Sequence, residues 1–389
     1  MITLLAKLFI KNREDTDSPK VRQAYGILSG AVGIFLNILL FTGKFFVGML
    51  SNSISITADA FNNLSDAGSS VITLIGFKMA GQKPDPGHPF GHGRIEYLSG
   101  LAVSAAILIM AFELIKSSVA KIIHPGKVTF SFIILVILII SILVKCYMFL
   151  YNRLISKKIH SEAMKATASD SLSDTLATSV VLITTIVTYF TGVNLDGICG
   201  IIVGVFILYT GITSAKDTLN PLLGQAPDTE FVQKIKDIVL SYDKVIGIHD
   251  LVVHDYGPGR EMISLHAEVP ANGNILELHD VIDNIERKLQ EVLKCDAVIH
   301  MDPISTDDEE TNELKETVMG YLKEMNTELT LHDFRIVKGP SHTNIIFDIV
   351  VPYKVMMKDD EIKSTIENKL HEMNTNFNAV INIDKSFCK

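Results

Sequence analysis

Phe130-Ser131-Phe132-Ile133-Ile134-Leu135-Val136-Ile137-Leu138-Ile139-Ile140-Ser141-Ile142-Leu143-Val144 contains no ionisable side chain and only two hydroxyls. A helix needs about 20 mostly apolar residues to cross a bilayer, and the flanking residues extend this run to that length. It reads as a lipid-facing helix. Five further stretches are long and apolar enough, giving six in all, near residues 26–50, 53–80, 96–118, 128–151, 163–190 and 195–215. The expected fold is a multi-pass α-helical membrane protein, with a cytoplasmic N-terminal segment over residues 1–25 and six transmembrane helices over residues 26–218.

Composition agrees. Of 389 residues, 48% are hydrophobic and 20% charged, whereas an ordinary soluble domain carries about 25% charge. The charge is also uneven: residues 1–226 hold 18 Lys+Arg against 13 Asp+Glu, and residues 227–389 hold 17 against 31. A hydrophobic, mildly basic half precedes an acidic, soluble half. This excludes a single globular enzyme, a disordered chain and a disulfide-stapled secreted domain. Nucleic acid is excluded as a partner, because the acidic half repels phosphate. Cys146, Cys199, Cys295 and Cys388 form no CxxC pair and no disulfide framework. No cleavable leader is expected, since the first apolar run follows a polar stretch near residues 11–23.

Orientation follows from the basic residues of short loops. Lys7, Lys11, Arg13, Lys20 and Arg22 precede the first span, Lys83 and Arg94 lie in the second loop, and Arg153, Lys157, Lys158 and Lys165 in the fourth. The first and fifth loops have none, although the third has Lys121 and Lys127. The balance places both termini in the cytoplasm.

Ionisable groups inside a span are costly and mark function. The second span reads Ala58-Asp59-Ala60-Phe61-Asn62-Asn63-Leu64-Ser65-Asp66, and the fifth Asp170-Ser171-Leu172-Ser173-Asp174. Asn62 with Asp66, and Asp170 with Asp174, are spaced i, i+4, so each pair shares one helical face. Together they offer one amide oxygen and three carboxylates. Carboxylates this close repel one another, and a divalent cation removes the conflict, with a proton the next-best partner. Asp59 lies one turn before Asn62 on roughly the same face and stays undecided. The bland alternative is helix-to-helix hydrogen bonding by Ser, Asn and Asp. An intramembrane aspartyl protease also uses aspartates on two helices, but it needs a Gly-x-Gly-Asp stretch, which this sequence lacks.

These motifs resemble the cation diffusion facilitators, exporters of divalent transition metals. NxxxD in the second span and DxxxD in the fifth match the family's transport positions, and Asp85-Pro86-Gly87-His88-Pro89-Phe90-Gly91-His92-Gly93-Arg94 looks like its loop signature. The resemblance covers residues 20 to about 303. It implies a homodimer in the lipid bilayer of the cell membrane that exchanges metal for protons. Zinc exporters of the family place a His in the transport site, whereas Asn62, Asp66, Asp170 and Asp174 are all oxygen donors. Oxygen-only sites suit harder ions such as Mn²⁺, and the set looks like the manganese-exporting branch. Zn²⁺ or Fe²⁺ export remains the alternative, and a membrane-anchored metal sensor the rival from another class. The resemblance also implies a second metal site at Asp85, His88 and His92. Helical i, i+4 histidines chelate, but Pro86, Gly87 and Pro89 favour a turn here. It further implies a charge pair between Arg94 and Asp228.

After Asn220-Pro221 and Ala226-Pro227, periodicity gives helix 228–241, strand 244–255, strand 260–269, helix 275–293 and strand 295–302. This α+β order resembles the family's ferredoxin-like cytoplasmic domain, placed at residues 226–303. His249, His266, His279, His300 and Asp302 fall at the family's binuclear positions, which implies Asp302 bridging two ions; His254 is a looser candidate. The remaining residues, 311–389, repeat that domain at an offset near 82. His249-Asp250-Leu251 corresponds to His332-Asp333-Phe334, Val269-Pro270 to Val351-Pro352, and Val298-Ile299-His300-Met301-Asp302 to Val380-Ile381-Asn382-Ile383-Asp384. Thr306 to Thr311 forms an acidic linker. The copy keeps His332 and Asp384 but has Asp348, Glu361 and Asn382 where the first domain has His266, His279 and His300. It therefore either only packs or binds a harder ion weakly.

Overall fold

A short helix, α1 (Ile2–Phe9), precedes six long ones in the computed structural model: α2 (Pro19–Leu50), α3 (Ile54–Ala80), α4 (Ile95–Ile123), α5 (Phe132–Ile159), α6 (Glu162–Thr191) and α7 (Asp196–Leu219). The structure describes residues 2–16, 18–50, 54–123, 132–191, 195–305, 307–352 and 354–386. Lys127, Cys388, the first residues of the second and fourth expected spans, and the side chain of Asp59 lie outside the described residues. The chain forms two units, Met1–Gln225 with Asp255–Arg260, and Ala226–His254 with Glu261–Lys389.

The six long helices occupy the six expected spans. Five of them, α2 and α4 to α7, are long and apolar enough to cross a membrane by length and composition. The described part of α3 falls short because Asn62, Asn63, Ser65, Asp66, Ser69 and Ser70 crowd its sequence. Helix α1 was not legible as an element. Its Ala6, together with Ile10, is buried against Val21, Tyr25, Ile155 and Ile159, while Leu4, Leu8 and Phe9 stay exposed.

Helices α2 with α3, α4 with α7, and α5 with α6 form the most extensive pairings. Lipid tails are as apolar as leucine, so association relies on small residues and interhelical hydrogen bonds. Both occur here. Thr73 and Thr167 hydroxyls lie 3.0 Å apart between α3 and α6, and Ser104 donates to Ser214 at 3.0 Å between α4 and α7. At Gly100 a Cβ would lie 2.9 Å from the Ala163 backbone, so α4 and α6 meet only because the position is glycine. A buried pair, Arg22 to Glu96 at 3.2 Å, ties α2 to α4. Helix α5 runs on to Ile159 and turns into α6 through His160, which adopts a left-handed φ of 48°. The Ser161 hydroxyl then accepts from the Met164 N–H at 3.2 Å and caps α6.

The second unit contains α8 (Thr229–Val239), β1 (Gly247–Asp255), β2 (Glu261–Pro270), α9 (Ile275–Leu293) and β3 (Asp296–Ile304). It then repeats the order as α10 (Glu309–Met325), β4 (Thr330–Lys338), β5 (Thr343–Pro352), α11 (Asp359–Met373) and β6 (Phe377–Ser386). Each half has a three-stranded sheet, ordered β1-β2-β3 and β4-β5-β6. Strands β2 and β3 run parallel, as do β5 and β6, with β4 antiparallel to β5. Side chains alternate across a strand. Ile263, Leu265 and Ala267 of β2 face a core with Ile235, Val239, Ile282, Ile285 and Leu289. Ile345, Phe347, Ile349 and Val351 of β5 do the same with Val318, Leu322, Ile362 and Ile366. The opposite face of each sheet carries the polar residues.

Candidate metal centres

The expected meeting of the second and fifth spans occurs at a residue of a third helix. Asp66 of α3 and Asp174 of α6 each place an Oδ2 at 2.6 Å from the Nζ of Lys145 on α5. The lysine side chain is 4% exposed and each carboxylate 13%, so all three are withdrawn from solvent. Asp170 is buried one turn before Asp174. Asn62, by contrast, is exposed, while its neighbour Asn63 is buried. The carboxylates of the two helices thus converge, and the point of convergence holds positive charge. An ammonium there offsets the repulsion between buried carboxylates. Lys145 is the buried partner of these carboxylates that the sequence did not reveal, being a single charge at the end of the most apolar run.

In the loop after α3, Asp85 Oδ1 accepts from the N–H groups of Gly87 at 2.9 Å and His88 at 2.7 Å. These bonds close the turn that Pro86, Gly87 and Pro89 favour, and they hold the Asp85 carboxyl below the usual carboxylate range. The same carboxylate lies 3.4 Å from both His88 Nδ1 and His92 Nε2. The three expected ligands of the loop are therefore together, brought there by a turn instead of a helix.

Arg94 and Asp228, expected as a charge pair, belong to different units, and each has partners within its own. Arg94 donates from Nε at 2.9 Å and from Nη2 at 2.6 Å to the backbone carbonyl of Asp255. The Asp255 side chain accepts from the Tyr97 hydroxyl at 2.8 Å. Arg260 donates to the carbonyls of Ala80 at 3.2 Å and Gln82 at 2.9 Å, and Tyr256 stacks on Phe90 at 4.5 Å. Gly257, at φ 115°, lets the turn lie against the Gly93 backbone, where a Cβ would collide. Asp228 caps α8, its carboxylate accepting from the Glu230 N–H. A carboxylate at a helix N-terminus satisfies an otherwise unpaired donor, which engages it locally.

On the open face of the first sheet, Asp302 is the centre. Its Oδ2 lies 2.7 Å from His266 Nδ1 and 3.1 Å from His249 Nε2, and its Oδ1 lies 3.2 Å from His300 Nε2. Register accounts for part of this, since His266 stands directly opposite His300. One carboxylate touching three imidazoles fits the donor chemistry of a divalent transition metal. His279 does not join them: it is on α9, 64% exposed, beside Asp283 at 3.6 Å. His254 is exposed on β1. In the second domain, His332 Nε2 lies 3.3 Å from Asp384 Oδ2, and Asp348 completes a group of ligand atoms within 4.8 Å of one another. Burial and the neighbouring Asp384 carboxylate push the Asp348 carboxyl above its usual range.

Aspartates buried among membrane-length helices, joined to small domains lined by imidazole and carboxylate, define a membrane carrier of cations. Two family models match the chain: the cation efflux transmembrane domain over residues 31–223 and the cytoplasmic domain of cation efflux proteins over residues 227–304. The uncharacterized transporter MJ0449 of Methanocaldococcus jannaschii is 35% identical over 267 residues, which is 68% of this chain and 94% of that protein. The cation-efflux pump FieF of Escherichia coli is 28% identical over 289 residues, covering 73% of this chain and 96% of its own length. The chain belongs to the cation efflux family and is a transporter of that family.

Proposed function

We propose that this chain exports Mn²⁺ from the cytoplasm in exchange for protons, as a homodimer in the plasma membrane with both termini cytoplasmic. The observation that supports the reading is the shared contact of Asp66 and Asp174 with one ammonium at 2.6 Å, a convergence of α3 and α6 carboxylates on positive charge. Asp170 and Asn62 complete an oxygen-only donor set. Manganese is the weakest divalent binder of its row, and a site favours it by withholding imidazole and thiolate from tighter-binding ions.

Lys145 belongs to the same mechanism. Its ammonium neutralises part of the carboxylate charge between transport events, and an arriving dication displaces it. Competition with a tethered cation weakens binding of every ion and eases release on the far side. Proton exchange follows from charge balance, because carboxylates that give up a dication regain positive charge from protons or from the lysine.

Asp85, His88 and His92 form a loop metal site in this reading. His249, His266, His300 and Asp302 form a cytoplasmic centre that stabilises the transporting dimer. The imidazoles around Asp302 also favour a second reading, zinc export, since zinc gains most from nitrogen donors. The test is flux into proteoliposomes with Mn²⁺, Zn²⁺ and Fe²⁺ in competition and a pH-sensitive dye inside. Saturable Mn²⁺ movement with counter-flow of protons is the expected result, and Zn²⁺ movement without Mn²⁺ movement sinks it.

A further inference from the structure

The two cytoplasmic domains meet at a second, reciprocal cluster. The rings of His249 and His332 stack with centroids 4.2 Å apart and planes 27° from parallel. His249 Nε2 lies 3.7 Å from Asp333 Oδ1, and His332 Nε2 lies 3.8 Å from Asp250 Oδ1. Each histidine also approaches the aspartate of its own sheet, Asp302 at 3.1 Å and Asp384 at 3.3 Å. Residue for residue, the contact is isologous, as in a twofold dimer, but both halves belong to one chain. Even the backbone agrees, for Asp250 and Asp333 both adopt left-handed conformations, with φ of 51° and 55°.

Both histidine side chains are more than nine-tenths buried, at 5% and 7% exposure. Neither ring nitrogen of either histidine makes a hydrogen bond. Burying polar atoms without hydrogen-bond partners is costly, and four aspartates surround the two rings. Two buried imidazoles amid carboxylates, with one donor atom each from His249, Asp250 and His332 within 4.8 Å of one another, need only small shifts to converge on a common divalent ion.

We propose that the duplicated domain is an internal partner of the first, and that a divalent transition metal bound by His249, His332 and Asp250 joins them. The site is separate from the one centred on Asp302 with His266 and His300, although His249 borders both. It does not depend on which ion crosses the membrane, nor on transport. The loss of imidazoles from the second domain at Asp348 and Asn382 is then no bar to metal binding, because the seam uses the one histidine that the copy retains.

The experiment counts ions bound by the full-length protein in detergent, by equilibrium dialysis against Zn²⁺ and separately Mn²⁺, followed by elemental analysis. His332→Gln and Asp250→Asn are each expected to lose one ion per chain relative to the unaltered protein, while His266→Ala keeps that ion. Asparagine tolerates the left-handed backbone at position 250, so Asp250→Asn holds its fold even if His332→Gln does not. Substituting Co²⁺ adds a second readout: the visible absorption bands lost in His332→Gln are lost in Asp250→Asn as well. Full ion stoichiometry in both variants overturns the proposal. So does a loss in His332→Gln and Asp384→Asn with none in Asp250→Asn, which puts the ion inside the second domain alone.

Discussion

The Nζ of Lys145 lies 2.6 Å from Asp174 Oδ2, and the same nitrogen lies 2.6 Å from Asp66. A fixed cation at the proposed transport site makes a direct prediction. Lys145→Gln removes the competitor, so the apparent KM for Mn²⁺ in proteoliposome flux falls at least tenfold, equivalent to about 1.4 kcal/mol. The metal-free variant loses the charge that separates two carboxylates, so its thermal midpoint in chelator drops and added Mn²⁺ restores it. Lys145→Arg keeps the charge and the high KM. An unchanged KM in Lys145→Gln removes the counter-ion role.

Asn62 and Asn63 compete for the fourth donor position. Spacing favours Asn62, four residues before Asp66, whereas burial favours Asn63, which is 2% exposed. Asn62→His is expected to raise Zn²⁺ over Mn²⁺ flux by about tenfold, since a single imidazole donor suits zinc better than manganese. Asn63→His leaves the ratio where it was and lowers protein yield. If the shift appears at position 63 instead, the i, i+4 argument names the wrong amide.

Much of this architecture was legible, and the exceptions have physical causes. Apolar length revealed the spans, and a near-constant offset revealed the repeated domain, because both signals sum over many residues. Lys145 was hidden because its partners are on α3 and α6, and a linear run says nothing about which face of α5 meets them. His249, His266, His300 and Asp302 lie together on strands, where register sets the His266–His300 pair, but His279 is on a helix whose face the spacing left open. The acceptor that Arg94 does find within its own unit, the Asp255 backbone carbonyl, was hidden for a related reason: a main-chain atom leaves no trace in side-chain identity.

The turn at Asp255–Arg260 supplies the next test. Arg260 donates to the Ala80 and Gln82 carbonyls, and Arg94 to Asp255 from the opposite direction. Each such bond contributes about 1 kcal/mol net, so Arg260→Ala raises amide hydrogen exchange roughly tenfold in residues 84–94 and 255–260 together. Asp228→Ala leaves both segments protected, since that carboxylate only caps α8. Faster exchange confined to residues 255–260 shows that the loop does not depend on the arginine.

The second domain has its own core, and a buried thiol in the first distinguishes the two. Phe347 is fully buried among Phe334, Leu322 and Ile366, and truncating such a side chain costs about 3–5 kcal/mol. Cys295 is fully buried in the first domain, where burial, reinforced by Glu261, pushes its thiol up to about 11. Thiolate is the reactive form, so at pH 8 the folded first domain resists alkylation there. Phe347→Ala is expected to open the second domain to protease near residues 305–310 while peptide mapping still finds Cys295 unmodified. Added Zn²⁺ slows that cleavage in the unaltered protein, because an ion at the His249–His332 seam holds the two domains together. Simultaneous cleavage and Cys295 alkylation in Phe347→Ala means instead that the two domains unfold as one cooperative unit.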